Sequence, residues 1–275
     1  MASTIPPQKP APRQATSLAA RAFQLQRAFA TLDGDVQPLK ALAATAGLDE
    51  STAYRILQAG KASGAFQQAG RGQYRLGPAA AEVGMHAMMQ VAADHGEAAV
   101  LAGLQAATGA FVWLYALTPA MGVPRRVCVD YAIGDLDTAD LGMTVDEVIT
   151  VGRSLRTGAS GRVILAHLPP SMQARVFAEP APECAGPGVL SDDELRTSLN
   201  VIRQQGYALG DQECLSGWAS VAAPVMHGGS IFGAVLVLQA ADTWPTNPAN
   251  LIALTVGAAA GLSREMDDAT TAQVA

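Results

Sequence analysis

Two short stretches of the chain hold the residue types from which catalytic sites are built. Thr157-Gly158-Ala159-Ser160-Gly161 sets a serine among glycines, and Asp211, Glu213 and Cys214 crowd together a little before an apolar run. A serine nucleophile on a strained elbow needs Gly-x-Ser-x-Gly between a strand and a helix, and the first stretch supplies only Gly-x-Ser-Gly. A cysteine nucleophile needs a base to make it a thiolate, and no histidine stands in a sequence relation to Cys214 that would activate it. No Gly-Lys-Ser/Thr follows a glycine-rich loop, so no phosphate cradle is present. The cysteines Cys128, Cys184 and Cys214 are scattered, with no Cys-x-x-Cys pair and no histidine at ligand spacing. That argues against a zinc site or a disulfide framework and for a reducing cytoplasm. His86 and His95 lack acidic or cysteine company and read as surface or packing residues. The expectation is a protein without enzymatic activity, metal or cofactor.

A second kind of chemistry is recognition of nucleic acid. Residues 1–77 carry nine Lys/Arg against four Asp/Glu, whereas the rest of the chain carries nine against twenty. A basic head on an acidic body fits a nucleic-acid-binding module joined to something else. Within the head, Gly47-Leu48-Asp49-Glu50-Ser51-Thr52-Ala53-Tyr54-Arg55-Ile56-Leu57 reads as a turn and then a helix. Ala53, Ile56, Leu57 and Gly60 share one face; Ser51, Tyr54, Arg55 and Gln58 share the other. Hydroxyl, guanidinium and amide groups on an outward face can bond phosphates and base edges. An ordinary amphipathic surface helix would show the same pattern. Asp49 is placed to cap this helix and Glu50 to sit in its first turn, where carboxylates oppose the helix dipole.

The elements that must position these side chains follow from periodicity. Ser17 can cap a helix whose apolar positions Leu18, Ala22, Leu25, Phe29 and Leu32 recur at steps of three and four. Pro38 opens a second helix with Leu39, Leu42, Ala43 and Ala46 on one stripe, and Gly47 closes it. Helix, glycine-containing turn and helix make a helix-turn-helix. Residues Ala65 to Gln68 and Gln73 to Leu76 then alternate as a hairpin around Ala69-Gly70-Arg71-Gly72. A hairpin with a basic tip directly after a recognition helix is a wing.

Beyond Pro78 a helical run continues to about His95, and its alanines and methionines suit a linker helix packed on its own chain or on a second one. The remainder predicts an α+β domain. A helix through Val100, Leu101 and Leu104 leads into strands at Ala110–Leu117 and Arg126–Ile133. An acidic loop, an apolar stretch over Val148–Gly152 and the glycine-rich helix entry at 157–161 follow. Ser191 and Glu194 form a capping box for a helix ended by Gly206. Strands Trp218–Val225 and Ile231–Gln239 flank a His-Gly-Gly turn, and a last helix runs from about Ala249 to Met266.

Two resemblances join these pieces. The recognition segment (Gly47, Leu48, Ser51, Thr52, Arg55, Leu57) and the wing (Tyr74, Leu76, Gly77) resemble the winged helix-turn-helix of the isocitrate-lyase-regulator (IclR) family of bacterial transcription factors. Asp49 and Glu50 depart from it, since relatives often carry Pro and Lys there. The segments VGRSLRTGASGRVILAHLP and RQQGYALGDQECLSGWASVAAPVMHGGSIFGAVLVL resemble the family's effector-binding domain. The resemblance implies a GAF-like sensory domain over residues 96–267, after a tail at 1–16, the DNA-binding domain at 17–77 and the linker helix at 78–95. Residues 268–275 would form a second tail.

The same resemblance implies partners and sites. Double-stranded operator DNA would meet Lys40, Arg71 and Arg75 as phosphate anchors, and Ser51, Thr52, Tyr54, Arg55 and Gln58 in or beside the groove. Two heads, in a homodimer or a dimer of dimers, would read two half-sites. A small-molecule effector would meet backbone at Ala159 and Ser160, and groups at Gly210, Asp211, Ser220, Leu236 and Leu238, with Trp113, Tyr115 and Trp218 nearby. Leu236 and Leu238 stand where members that sense small oxo-acids carry hydroxyls. Too few polar partners remain for a small, highly charged acid, and a ligand with an aromatic or aliphatic body fits better. These leucines filling an ordinary core is the other reading. Repression is the commoner mode in the family. A sensor acting through a protein partner instead of DNA is the competing class.

Composition sets the outer bounds. A chain of 275 residues suits about two domains, and with 49% apolar residues each can bury a core. No apolar run approaches the roughly 18 residues of a membrane span. The proline-rich N-terminal segment lacks the apolar core of a secretory signal and reads as a disordered lead-in, so a cytoplasmic location without membrane contact is expected.

Overall fold

The computed structural model describes residues 17–32, 34–80, 82–84, 97–120, 122–144, 146–147, 151–183 and 185–272. The N-terminal tail, most of the expected linker helix with His86 and His95, part of the stretch at 148–152 and Cys184 lie outside them. The chain falls into two compact units, residues 1–82 and 83–275.

Among the described residues the first unit holds three helices, a small sheet and a further helical stretch at 78–80. Helix α1 (Leu18–Thr31) starts where the Ser17 side chain accepts a hydrogen bond from the Ala20 N–H at 3.2 Å. A two-residue strand, β1 (Gln37–Pro38), was not anticipated. Pro38 accordingly caps helix α2 (Leu39–Thr45) from an extended conformation instead of occupying its first turn. The Leu39 N–H, an orphan donor at that helix start, donates to the Gly72 carbonyl at 3.0 Å. Helix α3 (Glu50–Ala62) follows, then the hairpin β2 (Phe66–Gly70) and β3 (Gln73–Leu76), with β3 central in the order β1-β3-β2. The core gathers Leu25, Phe29, Leu42, Ala53, Leu57, Phe66 and Tyr74. Phe29 stacks on Phe66 at 5.6 Å between ring centres. A Cβ at position 60 would stand 2.2 Å from the Phe66 ring, which explains a glycine inside α3 despite its cost to the helix. Leu76, expected to follow Tyr74 inward, is exposed where the strand runs out of the core.

The second unit is a six-stranded sheet, antiparallel at every pairing, with helices on both faces. Its elements are α4 (Glu97–Thr108), β4 (Phe111–Ala120), β5 (Val123–Ala132), β6 (Arg153–Ser154), α5 (Gly158–Ala166), α6 (Pro170–Phe177), α7 (Asp192–Gln205), β7 (Ala208–Asp211), β8 (Trp218–His227), β9 (Ser230–Ala240) and α8 (Ala249–Ala272). The strand order is β6-β5-β4-β9-β8-β7. Strand alternation sorts side chains to two faces. On β4, Phe111, Trp113 and Tyr115 turn toward α5, α6 and α7, while Val112, Leu114 and Ala116 turn toward α4 and α8. The expected capping box of α7 is present, with Ser191 N–H donating to Glu194 at 2.9 Å, and Gly206 ends the helix at φ 79°. Helix α8 continues to Ala272, through residues expected to form a tail. Helix α6, strand β7 and a 3-10 turn at Thr138–Leu141 carry no strong sequence signature and were not anticipated.

Candidate functional site

In the head, α3 presents a surface built by its own cap. The Asp49 carboxylate accepts from the Thr52 N–H at 2.8 Å and from the Thr52 hydroxyl at 2.7 Å. The Thr52 hydroxyl bond, then the N–H bond, hold the Asp49 pKa below its ordinary value, so the cap stays ionised at neutral pH. Thr52 is only 5% exposed, which corrects its expected place in or beside the groove. The reason is angular: Thr52 lies beside Ala53 on the buried flank, and its polar atom is committed to the cap. Ser51, Tyr54 and Arg55 are exposed, with Tyr54 prominent. Gln58 is half-buried and donates to the Tyr74 hydroxyl at 3.2 Å, linking recognition helix to wing. Lys40, Arg71 and Arg75 are exposed, and the Arg75 Nε donates to Gln67 at 2.8 Å across the hairpin. Lys61, not singled out from sequence, bonds Gln68 at 2.9 Å and adds another cation near the wing.

In the second unit, a chamber of about 50 Å³ lies between the aromatic face of the sheet and the start of α5. Eight of the ten expected effector residues line it: Trp113, Tyr115, Ala159, Ser160, Trp218, Ser220, Leu236 and Leu238. Register places them, since Trp113 on β4 pairs with Leu236 on β9 and Ser220 on β8 with Leu238. Phe111 meets Trp218 edge-on at 5.7 Å, and Trp113 meets Tyr115 edge-on at 6.1 Å, so the aromatic wall is braced. Gly210 backs this wall: a Cβ there would lie 2.6 Å from the Ser220 Oγ and 3.2 Å from the Ala159 nitrogen. Asp211 does not line the chamber. Alternation on β7 turns Gly210 inward and Asp211 out to solvent, which corrects its expected place.

The polar groups of the chamber come mostly from residues that sequence reasoning passed over. Arg126, on the inward register of β5 with Pro124 and Cys128, is 2% exposed. Its Nη1 donates to the Ser154 carbonyl, its Nη2 contacts the Cys214 sulfur at 3.5 Å, and it lies over the Tyr115 ring at 5.4 Å. Glu213 accepts from Arg162 at Nε (3.0 Å) and Nη2 (2.5 Å) and from the Gly158 N–H at 2.9 Å. The Arg162 Nη2 also donates to the Leu209 carbonyl. The glycines of α5 now have a reason. A Cβ at Gly161 would stand 2.2 Å from the Arg126 Nη1, and one at Gly158 would stand 2.6 Å from the Cys214 sulfur. Burial, opposed by the Arg126 charge, pushes the Tyr115 pKa well above its ordinary value, leaving a neutral phenol. The same cause pushes Cys128 up to about 12, an inert thiol.

A second, more open hollow of about 500 Å³ adjoins the chamber and shares Arg126, Arg153 and Cys214 with it. The Arg125–Glu179 pair, at 2.8 Å, stands on its wall. Ligand sites commonly measure roughly 300–1,000 Å³, so the inner chamber alone is too small for a drug-sized molecule. Chamber and hollow together reach that range. Among the described residues no group of His, Cys, Asp and Glu could hold a metal ion, and no helix is long and apolar enough to cross a membrane.

A winged helix-turn-helix followed in the chain by an antiparallel domain with an internal chamber is the make-up of a DNA-binding regulator of transcription. Comparison with known proteins agrees. The profile "IclR helix-turn-helix domain" matches residues 18–59, and "Bacterial transcriptional regulator IclR C-terminal" matches residues 140–242. The HTH-type transcriptional regulator Rv1719 of Mycobacterium tuberculosis is 30% identical over 224 residues, covering 77% of each chain. A probable HTH-type transcriptional regulator, ArcR, of Halobacterium salinarum is 39% identical over 75 residues, which span 28% of that protein. Among solved structures, an IclR-family regulator from Rhodococcus sp. superposes with a TM-score of 0.57 at 22% identity, over 94% of this chain and 97% of that one. An IclR homologue from Microbacterium hydrocarbonoxydans complexed with 4-hydroxybenzoate superposes at 0.53 and 20%, over 91% and 99%. The Thermotoga maritima IclR superposes at 0.54 and 20%, over 90% and 98%. The chain belongs to the IclR family, and it is a transcriptional regulator and not an enzyme.

Proposed function

We propose that this regulator is a repressor that binds operator DNA as a dimer or dimer of dimers and changes its operator affinity when an organic acid with an aromatic or aliphatic body enters the chamber. The reading places it in the cytoplasm. One observation carries the effector class: Trp113, Tyr115, Trp218, Leu236 and Leu238 converge on a single space whose charged groups are confined to Arg126, Arg153 and the already paired Glu213. Apolar walls with sparse, fixed polar groups favour a ligand of matching make-up over a small, highly charged acid. The amides of Ala159 and Ser160, in the first turn of α5, have no acceptor within their helix and offer an anion two donors. The fold relative crystallised with 4-hydroxybenzoate supplies a rational first probe. The effect of any such ligand on DNA affinity is bounded by its differential affinity for the two arrangements of the heads.

The test is a mobility-shift assay with duplex DNA from upstream of the coding sequence. Arg55→Ala should weaken binding by about 1–3 kcal/mol, or roughly 5- to 150-fold, as for loss of a base-reading arginine. Tryptophan fluorescence of the sensory domain should be unchanged in that variant. 4-Hydroxybenzoate should alter wild-type affinity at concentrations where pyruvate does nothing. Wild-type DNA binding by Arg55→Ala would remove α3 from the interface. Absence of any salt-dependent binding to duplex DNA would favour a sensor that acts through a protein partner.

A further inference from the structure

Arg126 is the least expected residue in the second unit, because a guanidinium that is 2% exposed pairs with no acid among the described residues. Arginine keeps its charge when buried, so burial is costly unless partners restore what water supplied. The partners present are weak: a carbonyl, a thiol sulfur and an aromatic face. Its Nε has no hydrogen-bond partner among the described residues. Glu213, the one acid on the chamber wall, is already bonded by Arg162 and by the Gly158 amide. The chamber holds a second buried orphan donor, the Trp113 Nε1, on a residue 4% exposed. Buried polar groups in native proteins are nearly always satisfied, so two orphan donors on one small chamber mark what fills it.

The surroundings reinforce the sign of the charge. The guanidinium lies against the glycines at the start of α5, whose helix dipole and first-turn amides also favour an anion. Arg126 and the α5 start line the same space with Arg153, Glu213, Cys214 and Ser220, and the rest of the wall is aromatic and aliphatic. Arg126 also borders the more open outer hollow.

We propose that Arg126 is the residue that selects the effector by its carboxylate, with the Trp113 indole N–H taking a hydroxyl or oxo oxygen elsewhere on the same molecule. The effector class is thus a monocarboxylate with an apolar body and one further hydrogen-bond acceptor. This deepens the reading of the effector given above and rests on it. Guanidinium binds carboxylate side-on through two parallel N–H bonds, and the vacant Nε is one half of that edge.

Matched acids and amides test the assignment, with binding read by quenching of tryptophan fluorescence. Wild-type protein should bind 4-hydroxybenzoate at least tenfold more tightly than 4-hydroxybenzamide, in which a neutral amide of the same shape replaces the carboxylate. Arg126→Gln should erase that preference, binding both about equally, and Arg126→Lys should restore part of it. Thermal unfolding of each variant identifies any that has not folded, and the wild-type comparison stands without them. Equal binding of acid and amide by the wild type would overturn the role of Arg126 while leaving the chamber as the effector site. Tenfold discrimination retained in a folded Arg126→Gln would overturn it as well. Binding of neither compound, or of any benzoate or medium-chain carboxylate, would sink the effector reading and this proposal together. Trp113→Phe should weaken 4-hydroxybenzoate but not benzoate, and equal loss of both would refute the second contact.

Discussion

Reading head and sensory domain both depend on arginines, and they keep them in opposite media. In the head, Arg55, Arg71 and Arg75 stand in water on a helix face and a hairpin. In the sensory domain, Arg126, Arg156 and Arg162 are buried. Two unit charges 4 Å apart interact by about 1 kcal/mol in bulk water but about 4 kcal/mol at an effective dielectric of 20. The head's charges are therefore individually mild, screened by salt, and available to a polyanion that brings its own low-dielectric contact. The sensor's charges are strong and local, and each has to be matched inside the fold or by a ligand. Charge is exposed and long-ranged in one region and buried and local in the other.

The sharpest way to break this contrast is the Arg162–Glu213 pair. Arg162→Met leaves the Glu213 carboxylate buried beside a single amide donor, and loss of one partner of a buried pair costs about 3–5 kcal/mol. All three tryptophans, Trp113, Trp218 and Trp244, lie in the second unit, so denaturant unfolding followed by tryptophan emission reads that unit alone. A loss below about 1 kcal/mol would show the pair behaving like a surface bridge.

Glu97 probes the same low-dielectric interior through pH. It is 2% exposed at the start of α4, and its oxygens have no hydrogen-bond partner among the described residues. Burial first, then the like charges of Asp130 and Glu265, pushes its pKa up to about 7 from 4.5. The fold therefore prefers the protonated carboxyl. Stability should be greatest below about pH 4.5 on this account and should fall as pH rises through about 7, by on the order of 3 kcal/mol. Glu97→Gln, which mimics the neutral form, should flatten that decline in tryptophan-monitored unfolding. An unchanged slope would mean that Glu97 reaches water in solution.

The smallest effect belongs to the head. Asp49→Ala removes the cap of α3 and should cost about 1 kcal/mol of helix stability. Far-UV circular dichroism of the head's transition should shift, and the tryptophan-monitored midpoint should not. A matching shift in both would mean that the two regions unfold as one, and the contrast drawn above would lose its separate terms.

The two regions also differed in how far the sequence betrayed them. In the head, exposure preserves the link between residue type and role. Ser17 and Asp49 cap where their types and positions imply, and the hairpin lies where glycines and alternation place it. Thr52 escaped because cap geometry, which is tertiary detail, turned its hydroxyl inward. In the sensory domain, the aromatic strand, the capping box and the strand pair were legible from alternation and capping rules. Arg126 was not, since a charged residue in a strand is ordinarily assigned to the wet face. The signal was present all the same: Arg126 shares the odd-even register of Pro124 and Cys128. Asp211 failed for the converse reason. Its neighbour Gly210 holds the inward position on β7, and one residue of register reverses the face.

The glycine at position 161 carries a consequence for inheritance within any lineage that shares this design. A single methyl there would occupy the place of the Arg126 Nη1, 2.2 Å away. Positions 126 and 161 are thus coupled, since a side chain at 161 obliges the end of the Arg126 side chain to shift. A descendant that gains a side chain at 161 has to reseat the guanidinium although no residue lining the chamber has changed. On the effector reading proposed above, drift at a residue outside the chamber wall would then alter the contact that meets the effector's carboxylate.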